Sequence, residues 1–179
     1  STPIQVFPNN IPSQGTYDDE QGVSWDIRFE ANGEETDQPI TSNPVFLDFA
    51  GLSLELEVDV NFIIATSGLG IAVKHEDSLG TIRYLQTAIV GSFNILDWSE
   101  TYNSFVFYSD VPNQTKKLKL TSFILPTAGF LSIELKYFAS SGVDGKLVVT
   151  SAKITPIFEG VRNPSEVKKV YETARAYTS

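Results

Sequence analysis

The sequence predicts an all-β domain, an antiparallel two-sheet β-sandwich followed by a short C-terminal helix. Three observations carry this prediction. Residues 52–64 alternate apolar and polar side chains, further segments of the same period follow at short intervals between polar turns, and helical periodicity begins only at residue 164. The half-polar alternation favours antiparallel strands, because strands of parallel sheets are buried on both faces and read as continuous apolar runs.

The stretch 52–65, LSLELEVDVNFIIA, is the clearest strand in the chain. Its even positions are all apolar: Leu52, Leu54, Leu56, Val58, Val60, Phe62 and Ile64. A period of two gives a strand one dry face and one wet face, whereas a helix would scatter these side chains around its circumference. A strand of this length would span about 45 Å, so we expect a bend or bulge where Ile63 and Ala65 break the alternation.

The remaining strands are assigned from weaker versions of the same pattern. The predicted strands cover residues 23–31, 45–49, 69–75, 81–89, 104–109, 117–124, 130–138 and 146–157, with a weakly patterned segment at 93–98. The polar HEDSLG turn joins the third and fourth of them into a hairpin. Nine or ten short strands without intervening helices describe a sandwich or a barrel, and we predict a sandwich.

The two ends differ from the centre and divide the chain into three parts. Residues 1–22, rich in proline and glycine, are predicted to form an extended arm, 23–158 the sandwich, and 159–179 a linker and helix. Asn163 is an N-cap candidate before Pro164, and Val167, Val170, Tyr171 and Ala174 follow at helical spacing. So short a helix needs a docking surface, on the sandwich, another subunit or a following domain. We expect both ends to bridge to neighbouring chains or domains, in the simplest version as a homo-oligomer that exchanges arms.

Composition limits the classes of partner and chemistry. The formal charge of −9 disfavours binding to a phosphate backbone, so no nucleic acid is expected as a partner. No apolar run approaches the roughly 18 residues of a membrane span, and no membrane insertion is expected. The chain has no Cys and no Met and opens at Ser1. We therefore expect neither disulfides nor a thiol nucleophile, and an N-terminus that was processed or cut from a longer polypeptide.

Catalytic and metal signatures are weak, and we predict a protein that is not an enzyme. His75 is the single histidine, too few for a multi-histidine metal site or an evident Ser-His-Asp relay. Acid clusters at 18–20, 34–37 and 76–77 could supply oxygen ligands to calcium. Clusters of this kind are more often solvated loops, and no cofactor is expected. Glu55, Glu57 and Asp59 have spacings compatible with paired hydrolytic carboxylates, but they lie on a wet face without a predicted cleft.

The candidate ligand site is aromatic. Residues 97–102, DWSETY, place Trp98 and Tyr102 beside Asp97 and Glu100 in a segment where alternation does not dictate burial. Flat aromatic faces with neighbouring carboxylates suit a sugar ring, which is apolar on one face and hydroxylated at its edge. Tyr84 completes the candidate set, and Tyr108 and Tyr17 could add to it. Trp25, in a well-alternating strand, is assigned to the core.

The segment 129–157, GFLSIELKYFASSGVDGKLVVTSAKITPI, resembles the closing strands of jelly-roll carbohydrate-binding modules. Ser151-Ala152-Lys153 departs from the aspartate that such modules carry in their last strand. The proline-rich arm, the helical exit and the absence of Met and Cys also resemble domains of phage tail and other virion adhesion proteins. The resemblance implies a jelly-roll sandwich, and it transfers no site residues.

From these patterns and the resemblance we expect a non-catalytic adhesion or structural module of a larger extracellular or virion protein. Its expected partners are a glycan or cell-surface polysaccharide and other subunits or domains of the parent assembly. Two alternatives stay open at this stage: a glycoside hydrolase or its accessory domain, and a purely structural assembly domain without a small ligand.

Overall fold

The computed structural model describes residues 4–6, 15–18, 22–25, 29–33, 39–64, 67–109, 111–139, 144–157 and 164–176. These residues form, in chain order, the strands β1 (Ile4–Val6), β2 (Gly15–Asp18), β3 (Gly22–Trp25), β4 (Phe29–Gly33), β5 (Ile40–Thr41), β6 (Val45–Leu47), β7 (Leu54–Ile64), β8 (Ser67–Glu76), β9 (Ile82–Val90), β10 (Phe93–Ser99), β11 (Phe105–Tyr108), β12 (Gln114–Phe123), β13 (Gly129–Ala139) and β14 (Gly145–Pro156), and the helix α1 (Pro164–Ala176).

The strands form two antiparallel sheets of seven strands each, which confirms the predicted sandwich. In the first, sheet A, β14 pairs with β7 on one edge and with β3 and β4 on the other; β12 lies beyond β7, and β1 and β2 lie beyond β4 and β3. In the second, sheet B, the order is β10, β9, β8, β13, followed by β5 and β6, with β11 pairing with β8 next to β9.

The core lies between the sheets and is built from the alternating positions that the sequence marks. In β7 the even positions from Leu54 to Phe62 are at most 2% exposed, and the odd positions are only partly buried. In β13, Leu131, Ile133, Leu135 and Tyr137 are fully buried. The Tyr137 hydroxyl donates to the Gly33 carbonyl at 2.6 Å and so ties sheet B to sheet A.

The bulge expected near the end of the long strand is present. Lys146 pairs with Ile64 but Leu147 pairs with Phe62, so Ile63 is an extra residue in the β7 to β14 ladder. Ile64 is 38% exposed, because the shift ends the regular inward alternation there.

Two predictions about strands differ from the structure. The strand predicted at 23–31 is described at its two ends, as β3 and β4, which both run beside β14; residues 26–28 lie outside the described residues. Val149 and Ala152 are three positions apart in β14, whereas their partners Phe29 and Trp25 are four positions apart, so the pairing of β3 and β4 with β14 is out of step by one residue. The described residues also contain fourteen strands instead of nine or ten, because two- to four-residue strands such as β1, β2 and β5 are too short to show a period.

The helix predicted at residue 164 is confirmed, and it docks on its own sandwich. Tyr171 is fully buried and its ring meets Phe49 edge-on at 5.1 Å. The Arg175 guanidinium lies 3.0 Å from the Asp48 carboxylate. Of the three docking surfaces the sequence left open, the structure shows the first.

The predicted arm is described at two places, and both are strands. Ile4–Val6 pairs with β4, and Gly15–Asp18 pairs with β3. The rest of residues 1–21 and the side chain of Trp25 lie outside the described residues, so the core assignment of that tryptophan and the division into arm, sandwich and helical tail stay predictions.

Candidate functional site

The outer face of sheet B carries a strip of small residues along β8. Gly68, Gly70 and Ala72 point away from the core, because their cross-strand partners in β13 are Phe138, Lys136 and Glu134, the outward residues of that strand. All three small residues are nevertheless buried. Larger side chains from neighbouring strands therefore cover the strip, and we call it the glycine strip.

At one end of this face, two tyrosines and one carboxylate come together. The rings of Tyr84 on β9 and Tyr102, in the loop after β10, meet edge-on with centroids 4.9 Å apart. Burial raises the pKa of both phenols, and the Glu134 carboxylate raises both further by its negative charge. Both hydroxyls therefore stay protonated at neutral pH and can donate as well as accept hydrogen bonds. Tyr102 is 51% exposed, so its ring is accessible to a ligand.

At the other end of the glycine strip, two more aromatic rings lie on the glycines. A side-chain carbon at Gly70 would come within 2.6 Å of the Phe138 ring, and one at Gly68 would collide with the Tyr108 ring. The Lys136 ammonium lies 4.9 Å from the centre of the Phe138 ring. A side chain at either position would push aside the ring that lies over it, because the rings occupy the space that the side chain would need. Tyr108 is 56% exposed.

The structure places Trp98 on the opposite face of sheet B from Tyr84. Trp98 pairs with Leu85, which is fully buried in the core, whereas Tyr84 pairs with Ser99. The Trp98 indole N–H donates to the carbonyl of Ile124, the residue that follows β12 of sheet A. Its ring packs against His75 at 5.7 Å and Phe123 at 6.2 Å. The ring therefore helps to close one end of the sandwich.

The predicted carboxylate Asp97 shares the outer face of sheet B with Tyr84 and lies two positions along β10 from Ser99, the partner of Tyr84. Asp97 pairs with Gln86 on the outer face and uses its carboxylate to accept the Trp98 amide hydrogen at 2.8 Å. Glu100 lies exposed in the bend after β10. Of the five residues named from sequence, Tyr84 and Tyr102 are in direct ring contact. Sequence reasoning missed Glu134, Lys136 and Phe138, whose outward positions in an alternating strand were the available signal.

The carboxylates considered for hydrolysis are engaged on the outer face of sheet A. The Lys119 ammonium lies 3.5 Å from Glu55 and 3.3 Å from Glu57, and the Lys117 ammonium lies 3.6 Å from Asp59. Burial raises the pKa of Glu57, but the lysines outweigh it and the pKa is lowered. A carboxyl held ionised is a poor general acid. Opposite charges that face one another across neighbouring strands on a solvated sheet face form such ladders of ion pairs.

No grouping of three or more His, Asp or Glu side chains suited to a metal occurs among the described residues. The acids at 19–20 and 34–37, and the side chain of Asp18, lie outside that part of the chain, so calcium binding stays an untested expectation. Among the described residues, no helix is long and apolar enough to cross a membrane, and α1 has 13 residues.

Two concave regions border the sandwich away from the glycine strip. A groove of about 400 Å³ lies between α1 and Gly51-Leu52. A cleft of about 550 Å³ opens between β10, β11 and β12, and Asn94, Leu96 and Leu120 are among its lining residues. Neither region contains any of the five residues predicted from sequence.

Comparison with known proteins gives likenesses of fold alone. No family model matches the sequence, and no characterised protein sequence matches it. The structure is similar to that of infectious bursal disease virus Gx strain, with a TM-score of 0.48 at 13% identity over 90% of this chain. It is similar to the infectious bursal disease virus VP2 subviral particle, with a TM-score of 0.44 at 12% identity over 88% of this chain. This chain covers 34% and 33% of those two chains, about a third of their length.

A third similar structure is the CBM22-1 xylan-binding domain of Xyn10C from Paenibacillus barcinonensis. The TM-score is 0.40 at 12% identity, over 86% of this chain and 85% of that domain. The solved structures that this fold is similar to thus include virus particles and a xylan-binding domain.

Proposed function

We propose that this protein is a non-catalytic glycan-binding module of a larger extracellular or virion assembly, and that the outer face of sheet B holds the sugar. The observation that carries the proposal is the accessible tyrosine pair, Tyr84 and Tyr102, beside Glu134 on an open sheet face. An aromatic ring covers the apolar face of a sugar, and protonated phenols and a carboxylate bind its hydroxyls.

The dimensions of the face favour a chain of sugars over a single ring. Tyr84 pairs with Lys74 and Tyr108 pairs with Gly68, six residues apart along β8. At roughly 3.3 Å per residue, the two tyrosines stand about 20 Å apart along the strand. The glycine strip between them has no protruding side chain of its own. An extended polysaccharide could therefore contact the aromatic rings at both ends.

The charges of the face favour a neutral glycan. Glu134 and Lys136 lie two residues apart on the outward side of β13 and carry opposite charges. A strongly anionic polysaccharide would meet Glu134 and the net charge of −9 of the chain, which repels it at long range.

The hydrolase alternative has less support, because the acids that could have formed a catalytic pair are held by lysines on the other sheet. A structural assembly role without a sugar ligand remains the competing function. It is favoured by a different observation, the exposed apolar hairpin of β9 and β10.

The test is binding of the purified full chain to an array of neutral plant, bacterial and animal glycans, followed by titration of the best ligand. Tyr102→Ala is expected to weaken binding about tenfold or more, a loss of about 1.4 kcal/mol. Leu79→Ala is the matched control, because Leu79 is 90% exposed in the turn between β8 and β9, away from the tyrosine pair.

Three results would contradict the proposal. Binding that Tyr102→Ala leaves unchanged would remove the site, and an absence of binding to every glycan would favour the structural role. Release of new reducing ends from a bound glycan would revive the hydrolase. Unchanged unfolding midpoints of both variants establish that the comparison concerns binding and not folding.

A further inference from the structure

The hairpin of β9 and β10 exposes an apolar surface that the fold does not use. Ile89, Val90, Phe93 and Ile95 are 75%, 58%, 73% and 40% exposed. Phe93 pairs with Val90 and Ile95 pairs with Ala88, so these four residues cluster at the tip of the hairpin. Large apolar side chains clustered on a protruding hairpin indicate a contact surface.

The outer edge of this hairpin is an unprotected strand edge. Among the described residues, β10 pairs with β9 and with no second strand. Near its end, Trp98 ties β10 to sheet A through its contact with the Phe123 ring, but residues 94–96 border the open cleft of about 550 Å³. The segment FNIL at the start of β10 has no proline and no charge, and its pairing with β9 is regular. Edge strands that avoid association carry prolines, charges or bulges, and this segment has none of them.

The charge distribution indicates which partner fits the edge. Residues 84–96 contain no charged side chain, although the chain as a whole carries −9. Two copies of this protein repel one another over most of their surface, and the hairpin is a place where they can meet without opposing like charges. The N-terminal strand β1 and the helix α1, which the sequence offered as assembly elements, pair with β4 and bury Tyr171 within the same chain.

We propose that β10 is a self-pairing edge through which two copies join their B sheets into one continuous antiparallel sheet. The apolar pattern fixes the register. A two-fold axis at Asn94 places Phe93 opposite Ile95 of the partner subunit, and Ile95 opposite Phe93 of the partner subunit. Asn94 then faces Asn94 of the partner subunit, and Asp97 faces a glycine, Gly91 of the partner subunit.

The neighbouring register is less favourable on the same grounds. An axis at Ile95 would place Phe93 opposite Asp97 of the partner subunit, twice in each dimer, and would bury an aromatic ring against a carboxylate. The axis at Asn94 pairs apolar with apolar side chains at both symmetric positions, which is the arrangement that stabilises cross-strand neighbours.

Sedimentation of the full chain over a range of concentrations tests the proposal. The wild type is expected to sediment as a dimer, and Phe93→Glu and Ile95→Lys are each expected to halve its mass. Leu79→Lys is the control, because it places a charge at a position that is 90% exposed and lies outside the edge. It is expected to remain a dimer.

An equimolar mixture of Phe93→Glu and Ile95→Lys tests the register itself. In the mixed dimer, the introduced glutamate of one subunit faces the introduced lysine of the other at one symmetric position. The native apolar pair is kept at the second position, so the dimer mass is expected to return. This rescue also shows that both variants are folded. The proposal is overturned if the wild type is monomeric at every concentration, if the single variants stay dimeric, or if the mixture stays monomeric. It is also overturned if the protein is a monomer whose hairpin binds lipid vesicles.

Discussion

Acid is expected to destabilise this protein through its single histidine. His75 is fully buried on the inner face of β8. Its Nε2 lies 3.0 Å from the Thr127 carbonyl oxygen, and because a carbonyl can only accept, Nε2 carries the hydrogen. Its Nδ1 is buried without a hydrogen-bond partner among the described residues. Protonation would therefore place a charged N–H where nothing accepts it.

The direction of the effect follows from the pKa. Burial lowers the pKa of His75, the Thr127 carbonyl and the Asp77 charge raise it by less, and the Arg83 charge lowers it further. The unfolded chain therefore takes up the proton at a higher pH than the folded one. The stability from this residue is complete above about pH 6.5 and is lost as the pH falls towards the folded pKa. For one proton, the loss is at most about 1.4 kcal/mol for each pH unit.

Urea unfolding of the wild type and of His75→Gln, from about pH 7.5 to about pH 5, measures this effect. Glutamine keeps an N–H donor for the Thr127 carbonyl and does not titrate. The carboxylates contribute to both proteins and cancel in the difference. We expect the wild type to lose free energy of unfolding relative to the variant as the pH falls. A difference that is independent of pH, or that moves in favour of the wild type in acid, would refute the reasoning.

Three further predictions concern stability. Leu56→Ala is expected to lower the free energy of unfolding by about 2 to 5 kcal/mol, and Glu57→Ala by less than about 1 kcal/mol, because the first is 1% exposed and the second pairs with lysines at the surface. The reverse order of their urea midpoints would contradict the strand register. Tyr171→Ala should cost about 3 kcal/mol and make residues 164–176 accessible to protease, and an unchanged cleavage rate would show that the helix is not docked through this ring. Trp98→Phe should cost about 1 kcal/mol in thermal or urea unfolding, because the Ile124 carbonyl loses its donor, while glycan binding stays unchanged if the tyrosine face is the site.

The candidate site could be predicted only in part. The sequence offers Tyr102 as a ligand candidate because it stands in a weakly patterned polar segment, and it adds Tyr84 from the predicted strand 81–89. Trp98 was grouped with them because β10 carries apolar residues on both faces near its tip, which hides its alternation. Its face follows only from its pairing with Leu85, a contact thirteen positions away in the chain. Glu134 and Phe138 were visible as outward residues, but their neighbours on β8 and β9 were not.

The sequence by itself determined the secondary structure of the long elements, their inward faces, the bulge at Ile63 and the helix at Pro164. Each of these depends on a local period or on a local break in it, and the free energy of burying one face enforces that period. Only the tertiary structure decided which strands are neighbours, that the glycine strip lies beneath aromatic rings from two other strands, that the helix returns to its own sandwich, and that β10 is left at an edge. These features depend on pairings between residues far apart in the chain, and the period of a strand specifies which face is dry without specifying which strand lies beside it.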